Sequence, residues 1–261
     1  MPKAVLKADE LSDDLLDMLR SGVEINEFRF HSIIKEINSA ITQYTPPPQT
    51  AYLKALANAV YGRRDAAIEH FESAMPYSYR VNDANFLAYL HDVGLLHKAV
   101  EIAEKISGKY VSSSIFLHAY EVNLILGRTN RALQYLDQYT KLADKKDADA
   151  LKEKAGSIIG DSEIFKKNAG LNDKEFAQLS SLAVKCLELR GLKSEAMSFW
   201  ENHVEGVNAF ILSVKNDDPT LLCDLNFDIA MRMAEYDCFN GKNFSFWFET
   251  MKQEEHFVHA C

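Results

Sequence analysis

No stretch of this 261-residue chain stays apolar for the roughly 20 residues that a membrane-spanning helix needs. The opening MPKAVLKADEL reaches acidic residues by Asp9 and holds no apolar run of signal-peptide length. A soluble, cytoplasmic protein with no membrane partner is therefore expected. Basic residues are outnumbered by acidic ones, 29 to 38, for a formal charge of −9, and no long basic run is present to neutralise successive phosphates. Nucleic acid is thus not expected as a partner. Cysteine is sparse: Cys186, Cys223, Cys238 and Cys261 stand far apart with no Cys-x-x-Cys pair. In a reducing compartment they read as free thiols, Cys186 serving as a small core residue on an apolar helical face. Signatures of catalysis are missing too, with no phosphate-binding Gly loop, no Gly-x-Ser-x-Gly elbow and no His-Glu-x-x-His pair.

What is present is ample apolar material, 47% of residues with 11% aromatic, enough for one large or two modest cores. It is also periodic. A Gly followed five residues later by Ala occurs at Gly62 and Ala67, Gly94 and Ala99, Gly127 and Ala132, and Gly191 and Ala196. Successive copies are spaced by about 32 residues or by twice that, a regularity characteristic of repeat architectures. Each Gly suits a tight chain reversal at a helix end, and each Ala opens the buried stripe of a second helix. Four residues further come Phe71, Ala103, Leu136 and Trp200, and three beyond those Ala74, Ile106, Tyr139 and His203.

The stretch GRRDAAIEHFESA, with Gly62, Asp65, Ala67, Ile68, Phe71 and Ala74, resembles the second half of a tetratricopeptide repeat (TPR). VGLLHKAVEIAEKI, LGRTNRALQYLDQY and RGLKSEAMSFWENH are similar to it as weaker copies. The family's unit is a helix-turn-helix of about 34 residues, and the first helices here depart from its pattern, with Ala51, Lys54 and Ala55 at its usual aromatic and Leu-Gly positions. The resemblance implies a mainly α fold, a right-handed α-solenoid of about four or five TPR-like repeats over 46–206. One degenerate unit falls near 145–170, where Gly160-Asp161 would supply its turn, with a lysine-rich helical connector as the other reading.

Residues 1–45 are expected to form a helical cap, from Leu11, Leu15, Leu16, Leu19 and then Phe28, Phe30, Ile33, Ile34, Ile37 and Ile41 at helical spacing. The prolines after Thr45 break the helix before the first repeat. Residues 207–261 read as a small strand-helix-strand (α+β) element: Ala209 to Val214 and Asn243 to Thr250 favour strands, and Leu225 to Cys238 favours a helix. Phe244, Phe246 and Phe248 alternate as a half-buried strand would. They dock on the last helices or offer a pairing edge to a partner or a second copy, making a homo-oligomer.

If the resemblance holds, first helices line a concave groove. It implies Tyr52, Leu56, Asn85, Leu117, His118 and Glu121 as partner-binding residues, with Ala84 and Ala88 read as packing between repeats. The mode that grips the acidic tail of chaperones uses paired lysines, an arginine and asparagines; only Asn85 matches, so that mode is not expected. His70, His91, His97 and His118 fall on repeat helices without an acid or nucleophile at a telling interval and read as surface or groove contacts. His256, His259 and Cys261 could hold zinc, but a terminal Cys is a poor ligand and chance clustering is the reading adopted. Asp13-Asp14 and Asp217-Asp218 read as helix-start and turn carboxylates. No metal or cofactor is expected. The function expected is a non-catalytic interaction protein, an adaptor, chaperone or neutralising partner holding a peptide segment of another protein. A peptide-responsive regulator and an enzyme with a site in the C-terminal element are the alternatives.

Overall fold

In the computed structural model, residues 2–41, 46–202 and 206–251 are described. The chain divides into two units, Met1–Phe86 and Leu87–Cys261. The described residues form a mainly helical fold with one small sheet near the C-terminal end.

The first unit contains α1 (Pro2–Arg20), α2 (Glu27–Glu36), α3 (Pro47–Val60) and α4 (Arg64–Ala74). Asn26 caps α2 by accepting from the Arg29 backbone N–H at 2.9 Å, and a single π turn, Ile37–Ile41, continues that helix. Pro47 opens α3, where its missing N–H costs nothing. Leu15, Phe30, Ile33 and Ile37 are buried as the cap stripe requires. Phe28 is 85% exposed, because α2 begins at Glu27 and turns that side chain off the buried face. Asp13 and Asp14 lie inside α1, not at its start. Phe71 of α4 stacks on Phe86 at 5.1 Å, and Tyr52 meets Phe71 at 6.3 Å, so aromatic packing closes this core.

The second unit takes the end of α5 (Arg80–Asp92), then α6 (Leu96–Ser107), α7 (Ser113–Ile125), α8 (Thr129–Thr140), α9 (Lys145–Ala169) and α10 (Asp173–Glu188). After these come β1 (Ser194–Asn202), β2 (Val207–Val214), α11 (Pro219–Ala234) and β3 (Ser245–Thr250). Three helix-Gly-helix segments, α3 to α4, α5 to α6 and α7 to α8, match the periodic reading. Ala67, Ala99 and Ala132 are each fully buried, as are Phe71, Ala103, Ala74 and Ile106. At Gly127, with φ 67°, the Gly127 N–H donates to Leu124 O and the Arg128 N–H to Asn123 O, the paired bonds that end a helix and reverse the chain. A Cβ there would come within 2.7 Å of Ser180 Oγ and 3.0 Å of Ala177 Cα, so α10 also packs too close for a side chain.

Two expectations fail here. The proposed degenerate unit is one uninterrupted helix: Gly160-Asp161 does not turn, and α9 buries a single stripe of Ala148, Ala155, Ser162, Phe165 and Ala169. The connector reading is the nearer one. The fourth copy is not a helical hairpin, since Gly191 is followed by β1 and the sheet begins before residue 207. Its expected inward Trp200 is 47% exposed, and His203 lies outside the described residues.

β1 pairs antiparallel with β2, and β2 pairs parallel with β3, with α11 making the crossover. Phe199, Phe210 and Phe246 are register partners, and rings 5.1 Å apart link each neighbouring pair. Met197, Leu212 and Phe248 form the next row. Both rows face a core with Phe165 of α9, Phe176 and Leu179 of α10, and Leu225 and Ile229 of α11. Phe244 precedes β3, and Phe244, Phe246 and Phe248 all pack into this core, so their side chains dock internally, while β3 is the last strand in the sheet order β1-β2-β3. Asp218 caps α11 by accepting from the Thr220 N–H at 2.9 Å, as its sequence suggested, whereas the helix begins earlier and ends earlier than Leu225 to Cys238. Cys186, Cys223 and Cys238 are free thiols, and burial pushes buried Cys186 up to about 11. No helix among the described residues is long and apolar enough to cross a membrane.

Candidate functional site

The residues expected on a groove separate. Tyr52 and Leu56 are each 1% exposed inside the first unit and present no surface. The Tyr52 hydroxyl accepts from Asn85 Nδ2 at 2.9 Å and meets Ser12 Oγ at 3.4 Å, and burial pushes its pKa up to about 12. A phenol so held is a structural tie between α1, α3 and α5. Asn85 also donates to Val81 O, so its amide serves the fold as well.

Leu117, His118 and Glu121 belong to the second unit, on α7, and are partly exposed. Here the structure gathers what the sequence had scattered. A cavity of about 130 Å³ lies between the end of α5, the second half of α7, the first half of α9 and the start of β1. Leu124, Ile125, Leu151, Ile158 and Met197 give it apolar walls, while His91, Glu121 and Lys154 supply charge or polarity. β1 contributes only because it is a strand docked beside α9.

At one side of the cavity, His91 Nδ1 lies 3.7 Å from Glu121 Oε2, and His118 Nδ1 lies 3.4 Å from the same oxygen. His118 and Glu121 are neighbours on α7 by their i, i+3 spacing. His91 comes from α5, and its ring centre sits 5.5 Å from that of His118. Burial lowers the pKa of His91 and outweighs the pull of Glu121 in the other direction. For Glu121, burial alone would raise the pKa, but His118, His91 and Lys154 together hold it below its ordinary value. The cluster therefore favours a carboxylate beside a neutral His91 near neutral pH. His118-x-x-Glu121 was readable as a pair on one helical face; His91 read as a surface or groove contact, with nothing in the sequence to join it to that pair.

A second constellation joins Ser181 and Glu188 of α10 to His97 of α6. His97 Nε2 lies 2.7 Å from Ser181 Oγ, its Nδ1 lies 3.0 Å from Glu188 Oε2, and the His97 backbone N–H donates to Glu188 Oε1 at 3.0 Å. Burial pushes Glu188 upward, but these contacts with His97 win and hold it below the ordinary carboxylate range. The order Ser-His-Glu is that of a nucleophilic relay. Its setting is not: Ser181 stands within α10, where backbone N–H groups are consumed by the helix itself, so none faces the position of an oxyanion. These three residues fasten the start of α6 to α10. His256, His259 and Cys261 lie outside the described residues. The chain matches no family model, no curated protein and no solved structure.

Proposed function

We propose that this protein is a non-catalytic binding protein that holds a segment of another polypeptide, with an apolar side chain of that segment seated in the cavity between α7, α9 and β1. The observation that carries the reading is the cavity itself, with apolar walls and a few polar groups, the usual make-up of a recognition pocket. Its size favours a side chain as occupant. About 130 Å³ is close to the ~150 Å³ that accepts a benzene ring and well below the ~300 Å³ at which pockets for whole small ligands begin. One leucine or phenylalanine side chain fits that volume better than a free metabolite.

The reading extends the TPR-like resemblance. The three consecutive helix-Gly-helix segments, with their buried Ala stripes, support a repeat array of the right-handed solenoid kind, in which partners bind through partly exposed first-helix residues such as Leu117, His118 and Glu121. An adaptor or chaperone role in the cytoplasm belongs to the same proposal, as does a second copy of the chain as partner.

The test begins with the tagged full chain and a partner that co-purifies stoichiometrically. Affinity for that partner is then compared between the wild type and Ile158→Trp or Leu151→Trp, which fill the cavity from α9. Each is expected to weaken binding at least ~10-fold, the effect of losing about 1.4 kcal/mol of anchor energy, with circular dichroism unchanged. Undiminished affinity in both would sink the cavity assignment. Covalent labelling of Ser181 by a fluorophosphonate would overturn the non-catalytic part of the proposal.

A further inference from the structure

His91, His118 and Glu121 are the one group of three or more His, Cys, Asp or Glu side chains among the described residues whose ligand atoms lie close enough to share an ion, all within 4.8 Å of one another. Two imidazoles and a carboxylate on packed helices form a donor set of the kind that zinc and other borderline divalent metals take. The separations agree with it. Ligands bound tetrahedrally at ~2.1 Å stand about 3.4 Å apart, and the two nitrogen-to-oxygen distances here are 3.4 and 3.7 Å.

Direct hydrogen bonding explains the cluster less well. Both imidazoles turn Nδ1 toward the same oxygen, Glu121 Oε2, at 3.7 and 3.4 Å. The His118 Nδ1 atom is buried, and its 3.4 Å approach to Glu121 Oε2 is long for a hydrogen bond. A contact of that length leaves room for an ion shared by the nitrogen and the oxygen. Among the surrounding groups that act on His91 and Glu121, Asp92 is negative and Lys154 and Lys193 are positive, so the setting beyond the three ligands does not itself draw in a cation. Attraction must then come from the ligand atoms, which selects a nitrogen-seeking metal over calcium or magnesium.

We propose that His91, His118 and Glu121 bind a divalent transition-metal ion of the zinc class beside the cavity. Three protein ligands leave one coordination position of a tetrahedral ion for water or for a group entering the cavity. The site goes beyond the partner-binding reading and stands whether or not a polypeptide docks there. It replaces the expectation, drawn from the sequence, of no metal.

The experiment uses the full chain stripped with a chelator and titrated with Zn²⁺ by calorimetry and with Co²⁺ by its visible absorption. The wild type is expected to bind one equivalent with a tetrahedral cobalt spectrum. His118→Asn and Glu121→Gln should each weaken binding by more than ~100-fold, beyond what loss of a supporting residue causes, while the metal-free variants keep the wild-type circular dichroism. His91→Asn is the third member of the set, so that a misfolded variant leaves two to decide. A chain carrying His256→Asn, His259→Asn and Cys261→Ser together should bind as the wild type does. No binding to the wild type, unchanged binding in the well-folded cluster variants, or loss only in the tail variant would each overturn the proposal. None of these outcomes alters the affinity test of the cavity.

Discussion

The chain turns in the same way after Gly127 and after Gly191, yet a helix follows the first and a strand the second. In both, the glycine takes a positive φ, 67° and 66°, and its N–H and the next one bond back to the closing turn of the helix before it. The bonds after Gly191 run from its own N–H to Glu188 O and from the Leu192 N–H to Leu187 O, matching those at Gly127. A glycine of this kind records that a helix has ended. It carries no information about what comes next.

What comes next is decided by side chains and their partners. After Gly127, Ala132, Tyr135 and Leu136 are buried along one helical face, with polar residues between. In SEAMSFWEN after Gly191, two periods fit equally well: Ala196 and Trp200 stand four apart, and Met197 and Phe199 stand two apart. The neighbouring segment settles it. β2 offers an unbroken apolar run from Ala209 to Leu212 that needs cover on both faces, and Phe199 finds Phe210 there in stacked geometry.

The comparison is most sharply tested at Phe199 and Trp200, because the helical period puts Trp200 inside and the strand period puts Phe199 inside. Phe199→Ala is expected to cost about 3 kcal/mol in urea unfolding, as removal of a packed ring does, and Trp200→Ala less than about 1. The reverse order would restore the helical reading. Next in size is Gly127→Ala, expected to cost about 2 kcal/mol from left-handed strain plus the close approach of α10. Gly62→Ala has the same strain but open space around its Cβ and should cost only about 1; equal losses at the two sites would mean the contact with α10 adds nothing.

The smallest effect concerns the fastening of α6 to α10. Glu188 has a depressed folded-state pKa, so the stability it brings is present above the ordinary carboxylate range and lost as pH falls through the folded value. From about pH 5 downward the wild-type Tm should drop more steeply than that of Glu188→Gln. Parallel curves would show that the His97 contact carries no acid-linked stability.

Local signals were thus legible: helix ends at glycines, buried Ala stripes, the proline start of α3, the Asp218 cap, and the strands of the C-terminal element. Signals that depend on distant partners were not. Gly160 passes through α9 without a turn because nothing there requires the chain to reverse, and the helix buries the same stripe before and after it. Tyr52 looked like a groove aromatic until its hydroxyl found Asn85 from α5. At the candidate metal site, the i, i+3 pair on α7 was visible in principle, but His91 joins it only through packing of α5 beside α7.

The parallel pairing of β2 with β3 also sets an order of assembly. Ser245 finds Ala209 only after all of α11 has been laid across the sheet, whereas β1 and β2 are joined by a short connection and can zip as soon as both exist. Local pairing precedes long closure, because the chain entropy of the larger loop must be overcome before its contacts form. A nascent chain therefore spends an interval with a two-stranded hairpin whose Phe210 lacks its second neighbour, Phe246. In that interval the edge of β2 is open to any passing strand, and arrival of β3 covers it.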